Sequence, residues 1–255
     1  MDAQQLILIS VSAAGGGMMN ALAGGGTLLT YPALLFAGET AITANATSTV
    51  ALWPGAAASM AAYRKEVAEH AGWLKLLFLP SLLGGALGAV LLLKTPVEAF
   101  ERLAPFLVLG ATVLFMIQGF VSRSLQREGH PGQQPLPRRV TAAWLLQLGF
   151  GVYGGYFGAG MGILTLAVLG FLGMSDIHAA NGIKSFFGMC INGVAAAWFI
   201  IQGAVHWPAA LIMIAGSIVG GYAGGRFARR IGRAHARTAV VVIGCLVTAI
   251  LFLRR

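Results

Sequence analysis

Long runs without charged side chains follow one another along the chain and predict membrane-spanning helices. These runs occupy residues 3–38, 40–63, 76–93, 103–122, 140–175, 185–225 and 238–253. A helix needs about 20 mostly apolar residues to cross the hydrocarbon core of a bilayer. The run 185–225 is long enough for two helices, and the polar and helix-breaking residues from Gln202 to Pro208 divide it. The pattern therefore predicts an all-α polytopic membrane protein with about eight hydrophobic segments.

The middle of the chain carries one polar, proline-rich stretch, residues 123–139, which has the composition of a linker. We expect it to join an N-terminal transmembrane repeat, residues 1–122, to a C-terminal repeat, residues 140–255. A shift of 136 positions places Gly24, Gly26, Asn45 and Thr49 on Gly160, Gly162, Asn181 and Ser185, and the spaced triplet Gly84, Gly85 and Gly88 on Gly220, Gly221 and Gly224. Matches at a single offset favour an internal duplication, which is common in secondary transporters, over chance similarity between glycine-rich helices.

The basic loops change places between the two halves. The loop after the second segment contains Arg64 and Lys75, whereas its counterpart at residues 202–208 contains neither lysine nor arginine. The next loop of the second half, residues 226–237, contains five arginines. Because loops rich in lysine and arginine stay on the cytoplasmic side, equivalent loops are expected on opposite sides of the membrane. This is the charge signature of an inverted repeat, and it places Arg64 and Arg230 on the same side.

Each half opens with an uncharged run of 36 residues that is interrupted by glycines. The interruptions are residues 15–17 and 24–26 in the first half, and residues 154–155 and 158–162 in the second. We expect a broken or hairpin-like helix in each half, which gives an odd number of passes per half. A half-helix that begins at such a break directs free N–H groups and its positive end toward a cavity, which suits an anion. Close helix packing is the alternative role of such glycines, and it is favoured for the two triplets.

A polar motif follows each glycine cluster. In the first copy Asn45 and Ser48 lie three residues apart and so on one helix face, and Asn181 and Lys184 do so in the second. Side-chain amides, hydroxyls and an ammonium group are the donors that an oxyanion needs. Interhelical hydrogen bonding or capping is the alternative role for the neutral side chains. The candidate anion-binding residues are Gly24, Gly25, Gly26, Asn45, Ser48, Gly160, Gly162, Asn181, Lys184 and Ser185.

Lys184 stands alone in a long uncharged region. It is the only Asp, Glu, Lys or Arg between Asp176 and Arg226. In a helix that begins near Asp176, Lys184 lies ~12 Å from the helix end, at about 1.5 Å per residue. A charge at such depth is costly and usually faces a partner or a water-filled pathway. A lysine that extends its side chain to the membrane surface is the alternative. We favour a role for Lys184 in binding the substrate or a counter-ion.

The composition supports lipid as the main solvent. Hydrophobic residues make up 57% of the chain, charged residues only 10%, and the mean hydropathy is +0.79. Soluble domains carry about 25% charged residues. The net charge of +9 comes from basic residues between apolar runs, which indicates contact with anionic lipid headgroups rather than nucleic acid. Cys190 and Cys245 lie at unrelated positions, so we expect free thiols, and no spacing indicates a metal site or a cofactor.

The glycine-rich and polar motifs resemble those of the sulfite exporter TauE/SafE family of membrane permeases, also called TSUP. The first copy reads GGGTLLTYPALL at residues 24–35 and ANATS at residues 44–48. The second copy spans residues 151–164 and then reads ANGIK at residues 180–184. The resemblance covers essentially the whole chain and both copies. Val168 stands where the first copy has Pro32, so the second break is expected to differ in shape.

The resemblance implies export or uptake of sulfite, sulfonates or related sulfur-containing anions across a bacterial-type inner membrane, without ATP hydrolysis. With the features above, it leads us to expect a multi-pass secondary transporter of the cell inner membrane with an anion site between the halves. The membrane potential or a proton gradient is the expected driving force. A passive anion channel is the alternative, and a membrane-embedded enzyme is less favoured because no nucleophile or metal cluster stands in the apolar runs. The sequence sets neither the direction of transport nor the oligomeric state.

Overall fold

A computed structural model describes residues 2–22, 24–61, 64–128, 139–227 and 233–253. Regular structure in these ranges consists of eleven helices, which confirms the all-α class. The helices are α1 (Ala3–Leu22), α2 (Thr27–Phe36), α3 (Ala41–Ala61), α4 (Arg64–Glu69), α5 (Ala71–Lys94), α6 (Val97–Glu128), α7 (Val140–Tyr156), α8 (Met161–Phe171), α9 (Ile177–Ile201), α10 (Trp207–Phe227) and α11 (Arg233–Leu253). Helix α6 runs past the predicted start of the linker at residue 123, and the rest of that linker up to residue 138 lies outside the described residues.

Several helices are apolar enough to cross a bilayer. Four described stretches combine sufficient length with a mean hydropathy of 1.4 to 2.3, namely Ala71–Lys94, Val97–Phe120, Ala179–Ile201 and Trp207–Gly224. Their outer faces expose large apolar side chains such as Leu79, Phe106 and Leu211. Apolar faces of this extent are stable in lipid and not in water. The chain is therefore a multi-pass membrane protein, and the count of eight segments stays a prediction.

Both halves contain a helix break at the second glycine cluster of the opening run. Helix α1 ends at Leu22 and α2 begins at Thr27, and α7 ends at Tyr156 before α8 begins at Met161. In the breaks, Gly24, Gly158 and Gly160 have positive φ values of 85°, 83° and 79°. Residues with a side chain rarely adopt this left-handed backbone conformation. The interruptions predicted at residues 15–17 and 154–155 are wrong, because α1 and α7 continue through them. Those glycines permit close contact between helices and leave the helical hydrogen bonds intact.

Each short helix returns beside the helix before it. The Gln5 amide near the start of α1 donates to the Ala37 carbonyl just after α2, at 3.1 Å. In the second half, the Arg139 guanidinium before α7 donates to the carbonyl of Phe171 at the end of α8, at 2.9 Å. The beginning of each long helix and the end of each short helix thus lie together. Helices α1–α2 and α7–α8 are hairpins whose glycine bends lie inside the bundle.

The two halves pack against each other at their glycine triplets. A Cβ atom on Gly84 of α5 would lie 2.5 Å from the Leu148 carbonyl oxygen of α7. A Cβ atom on Gly220 of α10 would overlap the Ala14 carbonyl of α1 in the same way. Helix α5 therefore packs on α7, and α10 packs on α1, through glycines that are 136 residues apart. The glycine triplets therefore allow close helix packing, which is the role that the sequence analysis favoured for them.

A polar contact joins the halves where α3 begins and α9 ends. The backbone N–H of His206 donates to the Thr47 hydroxyl at 3.0 Å. The His206 imidazole Nδ1 lies 2.5 Å from Glu39 Oε1 in the turn after α2. Further along, the Trp53 indole N–H of α3 donates to the Met189 carbonyl of α9 at 3.1 Å. Helices α3 and α9 are therefore antiparallel neighbours, and they position the cleft described next.

Candidate functional site

A cleft lies at mid-depth where the two helix breaks meet α3 and α9. Its polar lining consists of Asn20, Thr27, Thr49, Lys184, Ser185 and Asn192. Thr49 lies ~12 Å along α3 from the start of that helix, at about 1.5 Å per residue. The cavity volume is about 40 Å³. A water molecule needs roughly 10–15 Å³ on this measure, so the cleft suits a small ion better than a large metabolite.

Glycines bring the two breaks together at the cleft. Gly24, Gly158, Gly162 and Gly188 all line it. A Cβ atom on Gly24 would lie 3.9 Å from the Gly162 Cα atom, so the backbones of the two halves nearly touch. A Cβ atom on Gly158 would lie 3.7 Å from Asn192 Oδ1 and 3.9 Å from Thr27 Oγ1. The starts of α2 and α8 therefore both face the cleft, and helix N-termini favour negative charge.

Lys184 brings positive charge into the cleft. Only 6% of its surface is exposed, and its ammonium group donates to Asn181 Oδ1 at 3.2 Å. A Cβ atom on Gly162 would lie 3.1 Å from Lys184 Cδ, so the lysine side chain lies directly over the start of α8. Among the described residues that line the cleft, Lys184 alone carries a charge. This buried position agrees with the predicted depth of Lys184 and not with a side chain that extends to the membrane surface.

Thr49 and Ser185 have matching geometry on the two sides of the cleft. Thr49 Oγ1 donates to the Asn45 carbonyl at 2.9 Å, and Ser185 Oγ donates to the Asn181 carbonyl at 2.8 Å. Each hydroxyl bonds the carbonyl four residues earlier in its own helix. Because a hydroxyl can rotate, each can also turn its proton toward a bound anion. The pair supplies one hydroxyl from each half.

Asn45 and Ser48, two of the predicted site residues, lie behind the cleft and do not line it. The Asn45 amide nitrogen donates to the Tyr156 carbonyl at 2.8 Å, where α7 ends. A carbonyl at a helix end has no partner within its helix, so this bond stabilises the second break. Ser48 Oγ lies 2.6 Å from Thr30 Oγ1 and holds α2 against α3. Both residues support the hairpins that form the cleft.

Three of the predicted glycines are also supporting residues. A Cβ atom on Gly25 would lie 2.6 Å from the Phe115 ring, and one on Gly26 would lie 2.5 Å from the Gly16 carbonyl oxygen. A Cβ atom on Gly160 would lie 3.2 Å from Leu114 Cδ1 of α6. These glycines let the breaks pack against neighbouring helices. Of the predicted residues, Gly24, Gly162, Lys184 and Ser185 line the cleft, and Asn181 reaches it through Lys184.

The sequence analysis missed four side chains of the cleft, Asn20, Thr27, Thr49 and Asn192. Asn192 was detectable, because it lies four residues after Gly188 and eight after Lys184 and therefore on the same face of α9. Thr27 was detectable as the first residue after the glycine cluster. Asn20 carries no such signal, since it precedes the break and faces the cleft only through the bend that follows. Its position depends on the tertiary fold.

In the part of the chain that the structure describes, no three His, Cys, Asp or Glu side chains lie close enough to hold a metal ion. Cys190 and Cys245 are both free thiols. The described cleft offers hydrogen-bond donors and one positive charge, which is a binding chemistry.

Comparisons with known proteins agree with this chemistry. The family described as Sulfite exporter TauE/SafE matches residues 8–251. A probable membrane transporter protein of Haemophilus influenzae is 28% identical over 232 residues, which cover 91% of this chain and 88% of the relative. The probable membrane transporter protein YfcA of Escherichia coli K12 is 24% identical over 240 residues, which cover 91% and 84%. No solved structure gives a significant match. The chain belongs to the TauE/SafE sulfite exporter family.

Proposed function

We propose that the protein is a secondary transporter that carries a small sulfur-containing anion, such as sulfite or a sulfonate, across the cell inner membrane. The observation that carries this proposal is Lys184, whose charge is buried in a cleft between two helix breaks. A charge inside a membrane protein usually faces a partner or a water-filled pathway, and in this cleft Lys184 can meet an anion that enters it. The family name supplies the sulfur chemistry, and the small volume of the cleft fits it.

The polar groups around Lys184 suit a tetrahedral or pyramidal oxyanion. The ammonium group can leave the neutral Asn181 oxygen for the anion and form a hydrogen bond between two charged groups, which is stronger than the bond it replaces. The hydroxyls of Thr49 and Ser185 and the amide of Asn192 can each donate one further bond. The starts of α2 and α8 add the positive ends of two helix dipoles. Neutral donors with one cation favour a singly charged anion over a doubly charged one.

The arrangement of the halves suits alternating access. The proposed inverted repeat pairs residues 1–122 with residues 140–255 around the cleft. Two observations support it. Glycines 136 positions apart make the α1–α10 and the α5–α7 contacts, which supports the pairing of the halves, and the equivalent helices α3 and α9 run antiparallel, which supports their inversion. Gly55 of α3 lies beside Gly221 of α10, and Thr47 lies beside His206 nearer their starts, so α3 and α10 run in parallel.

The parallel course of α3 and α10 bears on the charge pattern. It brings the ends of these two helices to one side of the bundle, next to Arg64 and Arg226. Basic residues near both helix ends then share the cytoplasmic side, as an inverted repeat requires. In this arrangement, one hairpin opens toward the cytoplasm and the other toward the opposite side. Motion of one half against the other would expose the cleft to each side in turn.

Flux of labelled sulfite into proteoliposomes tests the proposal, with sulfoacetate and sulfate as competing anions and with or without a pH gradient. We expect saturable uptake that unlabelled sulfite inside the vesicles accelerates, because a carrier returns faster when it is loaded. We expect Lys184→Ala to abolish uptake while the protein stays folded. Lys75→Ala, which changes an exposed lysine of α5, is the matched control. Unchanged uptake in Lys184→Ala would remove the anion site from this cleft.

The same vesicles separate the transporter from a passive anion channel. A channel passes anions without a loaded and an unloaded return step, so internal sulfite would not accelerate its uptake. Uptake that does not saturate and shows no exchange acceleration would therefore replace the transporter by the channel.

A further inference from the structure

A second cavity lies at the opposite end of α2 from the anion cleft. Its volume is about 260 Å³, and its lining includes Tyr31, Leu35, Glu101 and Leu251. These residues belong to α2, α6 and α11, so the cavity separates the short helix from its outer neighbours. Helix α2 thus spans the distance between two cavities. Its first residue, Thr27, lines the anion cleft, and Leu35 near its end lines the second cavity.

A buried hydroxyl without a partner marks the second cavity. The Tyr31 side chain is fully buried, and its hydroxyl group forms no hydrogen bond with the described residues. The ring is held by edge-on contacts with Phe100, at 6.4 Å between centroids, and with Phe157, at 5.6 Å. A buried polar group without a hydrogen bond is rare, because its desolvation costs about 1–3 kcal/mol. Tyr31 lines the cavity, so an occupant that reached its hydroxyl would supply the missing hydrogen bond.

Among the described residues that line the second cavity, only Glu101 is charged, and it is an exposed carboxylate. The Glu101 carboxylate follows Phe100 in α6 and lines the cavity together with Tyr31. Helix α2 ends at Phe36, and the C-terminal end of a helix carries a partial negative charge. Carboxylate and phenol oxygens are hard donors, which suit sodium ions and protons rather than soft metals. The two ends of α2 thus meet opposite chemistry, with a lysine at the first end and a carboxylate at the second.

We propose that the cavity around Tyr31 and Glu101 binds a small monovalent cation, a sodium ion or a proton, that is coupled to anion transport. The coupling part of this inference rests on the proposed function, whereas cation binding does not. A cation between α2 and α6 fixes the position of α2, and the same helix presents Thr27 to the anion. Occupancy of one cavity therefore bears on the geometry of the other through α2, a ten-residue helix that contains Pro32.

The second half does not repeat this cavity's chemistry. The positions 136 residues after Tyr31 and Glu101 are Ala167 and Arg237. Neither the hydroxyl nor the carboxylate is present there, so the cation site belongs to the first half. The other charged residues near the start of α6 are Glu98 and Arg102, and Glu39 follows α2; the remaining charged residues of α6, Arg123, Arg127 and Glu128, lie at its far end. Helix α3 and the stretch of α11 from residue 238 to residue 253 contain no charged residue.

Thermal unfolding of the full-length protein in detergent, without any anion substrate, tests cation binding. Sodium chloride is compared with choline chloride at equal ionic strength, and each salt is measured at several pH values. We expect a rise in Tm of about 3–5 °C at a sodium concentration ten times the dissociation constant. If the occupant is a proton, the shift follows pH in choline chloride instead. The shift should disappear in Glu101→Gln and in Tyr31→Phe, which removes a single hydroxyl, and persist in Glu98→Gln.

The outcomes separate this inference from the proposed function. Absence of both a sodium and a pH effect on wild-type Tm, or an unchanged effect in Glu101→Gln, would overturn the cation site and leave anion transport intact. Loss of sulfite uptake in Lys184→Ala tests the anion site alone. In vesicles, we expect a sodium or proton gradient to drive sulfite accumulation in wild type and not in Glu101→Gln. Both the driven accumulation and the exchange at equal internal and external sulfite should survive in Glu98→Gln, the matched control.

Discussion

Equivalent residues of α3 and α9 share their backbone geometry and differ in charge. Thr49 and Ser185 line the cleft from opposite sides, and each donates to the carbonyl four residues earlier. Ser48 and Lys184 are equally related by the 136-residue shift, but Ser48 is buried against Thr30 while Lys184 lies along the cleft. A duplicated scaffold thus supplies neutral contacts from both halves and charge from only one. The comparison separates residues that stabilise the fold from residues that determine which ligand binds.

The largest effect is expected from exchanging the two divergent residues. Ser48 is fully buried, and its hydroxyl lies 2.6 Å from Thr30 Oγ1, so a lysine there places a charge in a packed region. Burial of an uncompensated charge costs several kcal/mol. We expect the double variant Ser48→Lys, Lys184→Ser to lose stability and to lose sulfite uptake by roughly 100-fold or more, equivalent to about 2.7 kcal/mol. Thermal unfolding and vesicle flux measure the two losses.

The single variant Lys184→Ser is the control for the exchange. It leaves position 48 unchanged, so the protein should fold normally and yet fail to transport sulfite. Restored uptake in the double variant would show that the two halves offer interchangeable sites, and the contrast between Ser48 and Lys184 would then have no functional meaning.

The next effect concerns glycines that have the same role in both halves. Gly84 and Gly220 contact the backbone carbonyls of Leu148 and Ala14, which cannot move aside as a side chain can. We expect Gly84→Ala and Gly220→Ala each to destabilise the protein by about 1–3 kcal/mol, the usual cost of overpacking. Gly149→Ala in α7 is the matched control, because no atom lies within 4 Å of the added Cβ.

Thermal unfolding in one detergent compares the three glycine variants. Alanine is favoured over glycine in a helix by about 1 kcal/mol, so Gly149→Ala should be neutral or slightly stabilising. Equal Tm values for all three would show that the interface between the halves is loose, and they would remove the structural basis for treating the glycine triplets as equivalent.

Much of the fold could be predicted from the sequence because its signals are local. The end of α1 before residues 24–26 and the division between α9 and α10 follow from backbone chemistry, since glycine tolerates a left-handed conformation and proline lacks an N–H group. The false interruption at residues 15–17 has the same origin. Glycine serves both breaks and close helix contacts, and only the neighbour in space distinguishes the two uses. For Gly17, that neighbour is Ser217 of the other half.

The cleft was harder to predict than the fold. Lys184 could be found because a charge in a long apolar run stands out without any structure. Asn45 and Ser48 had the right chemistry and the right helix face, but their partners are the Tyr156 carbonyl and the Thr30 hydroxyl. A sequence shows which kinds of group a polar side chain can bind, but it does not show which group lies within hydrogen-bond distance in the fold. That choice depends on packing between helices that are far apart in the chain.

An effect of intermediate size is expected from alanine at Gly26 and Gly162, which tests the comparison of the two halves at a second pair of equivalent positions. They are equivalent by the 136-residue shift, but a Cβ on Gly26 would meet the Gly16 backbone at 2.5 Å, whereas one on Gly162 would meet Lys184 Cδ at 3.1 Å. A flexible lysine chain can yield and a backbone cannot. We expect Gly26→Ala to lower stability by about 1–3 kcal/mol. Gly162→Ala should keep its Tm and raise the sulfite concentration for half-maximal uptake by roughly tenfold, or about 1.4 kcal/mol.

Each of the two glycine variants is the control for the other. Gly26→Ala should lower stability and keep the sulfite affinity, whereas Gly162→Ala should lower the sulfite affinity and keep stability. A fall in Tm for Gly162→Ala, with normal sulfite affinity in the protein that remains folded, would contradict the assignment. Gly162 would then be a structural residue like Gly26, and the Lys184 side chain would not depend on the space above α8.

The smallest effect is expected at Glu39 and His206, which join the halves on one side of the bundle. The second half has Ser175 in place of Glu39, so the contact between the Glu39 and His206 side chains is another difference between the two halves. Because the side chains are 19% and 35% exposed, water and salt weaken their attraction. A double-mutant cycle with Glu39→Gln and His206→Ala should give a coupling energy of about 0.5–1 kcal/mol, smaller at high salt. Glu98→Gln with His206→Ala is the control cycle and should be additive. Additivity in both cycles would mean that this junction is stabilised by the hydrogen bond from the His206 backbone to Thr47, and not by the contact between the Glu39 and His206 side chains.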